Sequence, residues 1–350
     1  MVSVLITGVT GQVGAILSKQ LLEKKYDVYG TYRRLSTPNF WRLQYLGIFD
    51  RVKLLPADMT DVSSLQEALK VSQPDLIFNL AAQSHVGTSF EQPIHSGLVT
   101  GLGVTNLLEA VRHSDLSPKI LQASSSEMYG AGLNEACDEE SEFNPSSPYA
   151  AAKLYAYYMM RCYRDAYGMS CSNSICFNNE SPLRGLEFVT RKISNAVARI
   201  ALGMQDTLAL GNINSKRDWG YSPDYADCMF RILKHRKPDD FVVATGETHS
   251  VKEFLEEAFG YFNMGWKDFV VIDKKYVRPL DVGFLLGDAS KAKRLLGWKP
   301  KVTFKELVKI MVEADLKRWQ AHLNGKSQHW DALNYDEDAM LSSKMKLERV

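Results

Sequence analysis

The sequence predicts an α/β protein: a doubly wound parallel sheet with a smaller C-terminal substrate-binding lobe. Three observations carry that expectation. Gly8, Gly11 and Gly14 stand between an apolar strand pattern and an amphipathic helix pattern. Strand and helix patterns then alternate, which calls for a parallel sheet with helices on both faces. The fifth strand pattern runs into Ala123-Ser124-Ser125-Ser126-Glu127, ahead of Tyr149 and Lys153. Ligands of such folds sit beyond the carboxyl ends of the strands, where these hydroxyls and this carboxylate fall.

Residues 2–7 form the first strand and 15–24 the first helix. The glycines between them suit a tight turn, close approach of backbone to a pyrophosphate, and close helix–strand packing. This is a Rossmann-type dinucleotide site. A second strand, 27–32, ends in Arg33-Arg34. An acidic residue there would bind the ribose hydroxyls of NAD, whereas arginine suits a 2′-phosphate, so NADP is expected. A third strand, 52–57, leads to Asp58, a candidate adenine contact. A helix covers 62–70, and a fourth strand, 75–80, ends at Ala81-Ala82, small enough to let a cofactor approach. A long helix over 96–112 and a strand over 119–122 complete this half.

Ser147 and Pro148 read as the N-cap and first residue of a helix. Tyr149 and Lys153 then share one face. An ammonium nearby favours phenolate, so the tyrosine pKa is expected to fall and the pair to exchange a proton with an alcohol.

Composition narrows the class. The chain has 350 residues, 45% hydrophobic and 24% charged, with a net charge of +1. That charge excludes a global field for nucleic acid or anionic membrane. No apolar run is long enough to span a bilayer, and with a strand pattern following Met1 no signal peptide is expected. The five cysteines lack metal-type spacing, so no metal is expected. They read as reduced thiols, pointing to the cytoplasm.

A sixth strand covers 172–177. Beyond it Asn178 is a candidate for a sugar or phosphate oxygen. Arg191, Lys192, Lys216, Arg217 and Arg278 offer positive charge to a diphosphate. A helix near Asp224 and a strand over 241–245 are expected to return to the first sheet. His85 is either a packed or a catalytic residue. Residues 1–177 thus form the dinucleotide domain, with returns near 220–250. Residues 178–323 form mainly the second lobe, closed by a helix over 304–322, and 324–350 form a tail.

Several motifs carry a resemblance through to about Arg318. They include Leu80-Ala81-Ala82-Gln83-Ser84-His85-Val86, Ser124-Ser125-Ser126-Glu127-Met128-Tyr129-Gly130, Asn178-Asn179-Glu180-Ser181-Pro182-Leu183-Arg184-Gly185, Phe188-Val189-Thr190-Arg191-Lys192 and Lys216-Arg217-Asp218-Trp219-Gly220. With the glycine and Tyr149/Lys153 motifs, the chain resembles the extended short-chain dehydrogenase/reductases and, within them, the GDP-mannose 4,6-dehydratase family. The resemblance implies bound NADP, oxidation at C4 of the hexose, loss of the C6 hydroxyl as water with the C5 proton, and return of hydride to C6. It implies catalytic roles for Ser125, Glu127, Tyr149 and Lys153. To the cofactor it assigns Gly8, Thr10, Gly11, Gln12, Val13 and Gly14 in the loop, then Arg33, Asp58, Met59, Leu80, Ala81 and Ala82, and finally Tyr149, Lys153, Asn179 and Arg184. To the substrate it assigns Ser84, Ser125, Ser126, Glu127 and Asn178, then Val189, Lys192, Gly211, Arg217 and Arg278. A homodimer or homotetramer follows from the same resemblance, which leaves the downstream sugar (fucose, rhamnose or an amino sugar) open.

The chain departs from the family pattern at Val13, Ser125, Ser146, Asn179 and Asp281, where an acid, Thr, a basic residue, His and Glu are usual. Two other readings stand beside it: a dehydratase, epimerase or self-reducing sister acting on another nucleotide sugar, and an NADP-binding scaffold without turnover.

Overall fold

The computed structural model describes residues 1–37, 39–131, 135–276, 280, 282–326 and 329–330. Seven parallel strands make its main sheet: β1 (Ser3–Thr7), β2 (Asp27–Tyr32), β3 (Lys53–Pro56), β4 (Leu76–Asn79), β5 (Lys119–Ser125), β6 (Cys171–Cys176) and, after four short strands, β11 (Asp240–Val243). Their order is β11-β6-β5-β4-β1-β2-β3. The chain moves outward from β1 in both directions, so the crevice between β1 and β4 is the switch point at which such sheets take ligands. Val4 stands level with Val28 on one side and Leu76 on the other.

One face of the sheet is covered by α1 (Gln12–Glu23), followed by the short α2 (Trp41–Tyr45). The other carries α3 (Val62–Ser72), then α4 (Val86–Glu91), α5 (Pro93–Ser96), α6 (Gly103–Arg112) and α7 (Pro148–Tyr167). Ile16, Leu17 and Leu21 of α1 pack on the first face, and Leu107, Leu108 and Met160 on the second. The sequence places a helix over 96–112; here α5 begins earlier and joins α6 through a π-helical stretch, Gly97–Leu102. Helix α1 also begins sooner than expected, at Gln12. Strand β5 runs on to Ser125, because Ser124 and Ser125 still pair with Ile175 and Cys176 of β6.

The remaining strands are small. β7 (Asn178–Glu180) pairs with β10 (Trp219–Tyr221), β8 (Leu208–Leu210) with β13 (Val270–Ile272), and β9 (Lys216–Arg217) with β12 (His249–Ser250). Helices α8 (Val189–Ala201), α10 (Val251–Gly260) and α12 (Phe304–Leu323) bury Ile193, Phe254 and Met311 together. Helix α9 (Ser222–Lys234) packs on α1, and α11 (Ser290–Leu296) lies against α9 and β11. Strand β11 pairs with β6, and α9 packs beside it on the main sheet.

Arg191 overturns one expectation. It is fully buried and lies 2.9 Å from Asp315, which also holds Arg318. Its guanidinium donates to the carbonyls of Pro182 and Arg184. It therefore fastens α8, α12 and the 182–184 loop and offers nothing to a diphosphate. All five cysteines are free thiols. Among the described residues no helix is long and apolar enough to cross a membrane.

Candidate active site

A cavity of about 1390 Å³ opens at the carboxyl ends of β1 to β6 and extends between them and the smaller strands. Its volume exceeds the range of a site for a single drug-sized ligand, roughly 300–1,000 Å³.

Thr7 organises the crevice. Its hydroxyl bonds Asn79 at 2.5 Å and accepts the amides of Leu80 and Ala81. That draws the end of β4 against the glycine loop. Gly8, at φ 69°, fits because a Cβ there would meet the Ala81 backbone at 2.9 Å. A Cβ on Gly14 would lie 2.5 Å from the Gly8 carbonyl. Gly8, Thr10, Gly11, Gln12, Val13 and Gly14 all line the cavity, as do Leu80, Ala81, Ala82 and Ser84.

Two helix starts face this space. The N-cap of α1 is Gly11 and that of α8 is Phe188, and neither makes a side-chain cap. The first amides of an uncapped helix, together with its dipole, favour an anion. One cavity thus presents two anion-seeking helix ends.

At the end of β2 the exposed Arg33 lines the cavity, near Asp58 and Met59. Burial opposes the charge of Asp58, yet hydrogen bonds from Thr60 and the nearby Arg33 and His95 leave its carboxyl below the usual range.

The reactive cluster is set by β5 and α7. Ser147 caps α7 by accepting the Ala150 amide at 3.1 Å, with Pro148 in the first turn. Lys153, buried, donates to the Ala123 carbonyl at 2.6 Å. Its ammonium is 5.8 Å from the Tyr149 ring centroid. Ser125 caps the short turn Ser126–Tyr129 by accepting the Glu127 amide at 3.2 Å. Ser125, Ser126, Glu127, Tyr149 and Lys153 meet in the same wall.

The electrostatics differ from the sequence expectation. Burial pushes the Tyr149 phenol up to about 12; a hydrogen bond from Ser125 pulls it back and the Glu127 charge adds to the rise. Burial also pushes Lys153 down to about 8. The lysine spends a hydrogen bond on Ala123, and desolvation of the phenol outweighs the Ser125 hydrogen bond and the Arg184 charge that favour the phenolate.

The second half of the chain supplies the rest of the lining. Asn178 lines it, and its buried Oδ1 has no hydrogen-bond partner among the described residues. Such an atom calls for a donor. Asn179 also lines the cavity and is tied to its neighbours: it accepts from Ser222 at 2.9 Å, and its carbonyl accepts from Gln12 at 3.0 Å. Arg184 pairs with Glu180 at 3.2 Å and lies 3.5 Å from the Phe188 ring centroid. Val189, Lys192, Gly211 and Arg217 also line the cavity. Lys216 is exposed and outside the lining, since neighbouring strand residues face opposite ways. Arg278 and Asp281 lie outside the described residues. His85 caps α4, accepting the Thr88 amide through Nδ1 at 3.2 Å, and packs edge-on to Phe188.

Sequence reasoning missed Phe188, Cys176 and Tyr276 in the lining. Phe188 was within sight, since it opens the motif that supplies Lys192; the two others carry no spacing signal.

The GDP-mannose 4,6 dehydratase family matches residues 5–311. GDP-mannose 4,6 dehydratase 1 of Arabidopsis thaliana is 50% identical over 323 residues, 89% of this chain and 89% of its own. The GDP-mannose 4,6 dehydratase of Homo sapiens is 44% identical over 345 residues, 91% of this chain and 93% of its own. Among solved structures, UDP-glucose 4-epimerase of Thermus thermophilus, in complex with NAD, aligns with a TM-score of 0.78 at 26% identity, over 89% of this chain and 98% of its own. By the extent of both the match and the identity, this chain belongs to the GDP-mannose 4,6-dehydratase family.

Proposed function

We propose that the protein converts GDP-mannose to GDP-4-keto-6-deoxymannose, using a retained NADP. The observation that carries this reading is the meeting of Glu127 with Tyr149 and Ser125 in one cavity wall. Exchange of a C4 hydroxyl for a ketone needs the tyrosine alone; removal of water needs a further acid–base group. Bound NADP would supply the hydride acceptor for C4 and the hydride donor for C6, so no net redox occurs.

The protein's own groups do the rest. Tyr149 takes the C4 hydroxyl proton. Lys153, and the positive charge an oxidised nicotinamide brings, both favour the phenolate against its burial. Ser125 donates to O4 and steadies the charge that develops there when C5 loses its proton. The ketone acidifies that proton; Glu127 removes it and passes it to the departing C6 hydroxyl, which leaves as water, and the proton held by Tyr149 goes to C5 when C6 takes up hydride.

The α1 start holds the dinucleotide pyrophosphate and Arg33 its 2′-phosphate, which supports NADP over NAD. The α8 start, Lys192 and Arg217 hold the GDP diphosphate, and Asn178 takes a donor from the sugar nucleotide. Residues 1–177, with the returns near 220–250, thus serve the cofactor, and 178–323 mainly the substrate. The five thiols suit a reducing cytoplasm, and a homodimer or homotetramer follows the family habit.

The test is mass spectrometry of purified protein with GDP-mannose and no added cofactor, other nucleotide sugars running in parallel. Loss of one water from GDP-mannose is expected. Loss from another nucleotide sugar instead would keep the chemistry and move the substrate. No conversion with NADP supplied would leave a binding scaffold.

A further inference from the structure

Lys192 and Tyr276 meet at the wall of the cavity that both line. The Lys192 ammonium is 3.7 Å from the centroid of the Tyr276 ring. A cation on an aromatic face is held by the ring quadrupole, more firmly as water is excluded. The backbone on both sides is fixed. Lys192 lies in the first turn of α8, its amide donating to the Phe188 carbonyl at 2.8 Å. Tyr276 ends the turn Lys274–Tyr276, which follows the pairing of β13 with β8. Gly211, just past β8, lets that turn come close: a Cβ there would lie 2.7 Å from the Tyr276 carbonyl oxygen and 3.2 Å from the Tyr276 Cβ. A lysine in open water spreads over many rotamers. Here contact with the ring narrows that spread, beside the uncapped start of α8.

We propose that Tyr276 is a positioning residue for the substrate diphosphate: its ring keeps the Lys192 ammonium at the α8 start, and so sets nucleotide affinity while leaving the chemistry to the Tyr149 cluster. This rests on the reading of that wall as a nucleoside-diphosphate site. It also explains Gly211 without any contact to substrate.

The test compares wild type with Tyr276→Phe, Tyr276→Leu, Lys192→Met and the Leu/Met double variant. GDP affinity is read by calorimetry, and KM and kcat by water loss from GDP-mannose. The phenylalanine variant keeps the ring face and is expected within about twofold of wild type. The leucine variant is expected to weaken GDP and raise KM by roughly fivefold, with kcat moved less than about twofold. In the Lys192→Met background the leucine change should add nothing. Leucine with wild-type affinity would overturn the proposal, as would phenylalanine as weak as leucine. Should the leucine variant lose thermal stability, Tyr276→Met is the second apolar replacement. If wild type binds GDP yet leaves GDP-mannose intact, the function reading fails while the GDP affinities still decide this one.

Discussion

Tyr149 shows how far a residue's neighbours can oppose its task. Its phenol is held at about 12 and Lys153 at about 8, both by burial. Raising the pH removes the Tyr149 proton and creates the base, so C4 oxidation should rise with pH on the acid side. Above about 8 the Lys153 ammonium is lost, the phenolate loses its support, and the rise should flatten. The clean readout is nicotinamide absorbance in a single turnover of Glu127→Gln, which is expected to oxidise C4 and stop before water leaves. Normal 6-deoxy product from that variant would remove Glu127 from the mechanism. Adding Tyr149→Phe should cut the absorbance change by about a thousandfold while NADP stays bound. Lys153→Met should abolish the flattening near 8 and move the acid limb upward by a unit or more. An unchanged profile would mean that the lysine serves only to hold Ala123.

Elements place these residues, and the start of α1 is tightly constrained by backbone. Alanine in place of Gly14 would gain up to about 1 kcal/mol of helix propensity. Its Cβ, however, would sit 2.5 Å from the Gly8 carbonyl and 2.9 Å from the Val9 Cα, both backbone atoms that cannot swing aside. Overlap wins, and α1 must move away from β1. Gly14→Ala is expected to weaken NADP at least tenfold, measured by quenching of protein fluorescence; tight binding would show that the helix tolerates the shift. This loop was legible in the sequence because glycine there answers a local need. So were the α7 cap and the alternation that gave the sheet. The role of Arg191 was not. A cation read by spacing looks the same whether it faces a ligand or a carboxylate 124 residues away. The extent of β5 was hidden for a related reason: Ser124 and Ser125 read as loop, and only pairing with β6 makes them strand. The rise of the Tyr149 pKa was equally out of reach, because four-residue spacing shows the ammonium but not the burial that outweighs it.

At the scale of the whole molecule, the chain past α12 was read as a tail. Residues 331–350 lie outside the described residues, but Trp330 does not. It is buried, with its ring centroid 4.8 Å from that of Trp319, in a cluster with Ala198 of α8. Trp41 of α2 packs on the same cluster. The next residue, Arg42, donates to the carbonyls of Leu183 and Thr10, so α2 ties this corner to the glycine loop. Trp330 therefore acts as a wedge that closes a seam between α2, α8 and α12. Truncating a buried tryptophan commonly costs about 3–5 kcal/mol. Several neighbours here are only partly buried, so Trp330→Ala should cost near the lower end, about 3 kcal/mol. Urea denaturation reads this directly, with Trp330→Phe as the variant that keeps most of the ring. If the cost is carried by the seam, NADP should protect the alanine variant by restoring part of the lost midpoint, because ligand binding to the folded state adds to its stability. A wild-type midpoint for Trp330→Ala would return the segment to the status of a loose end.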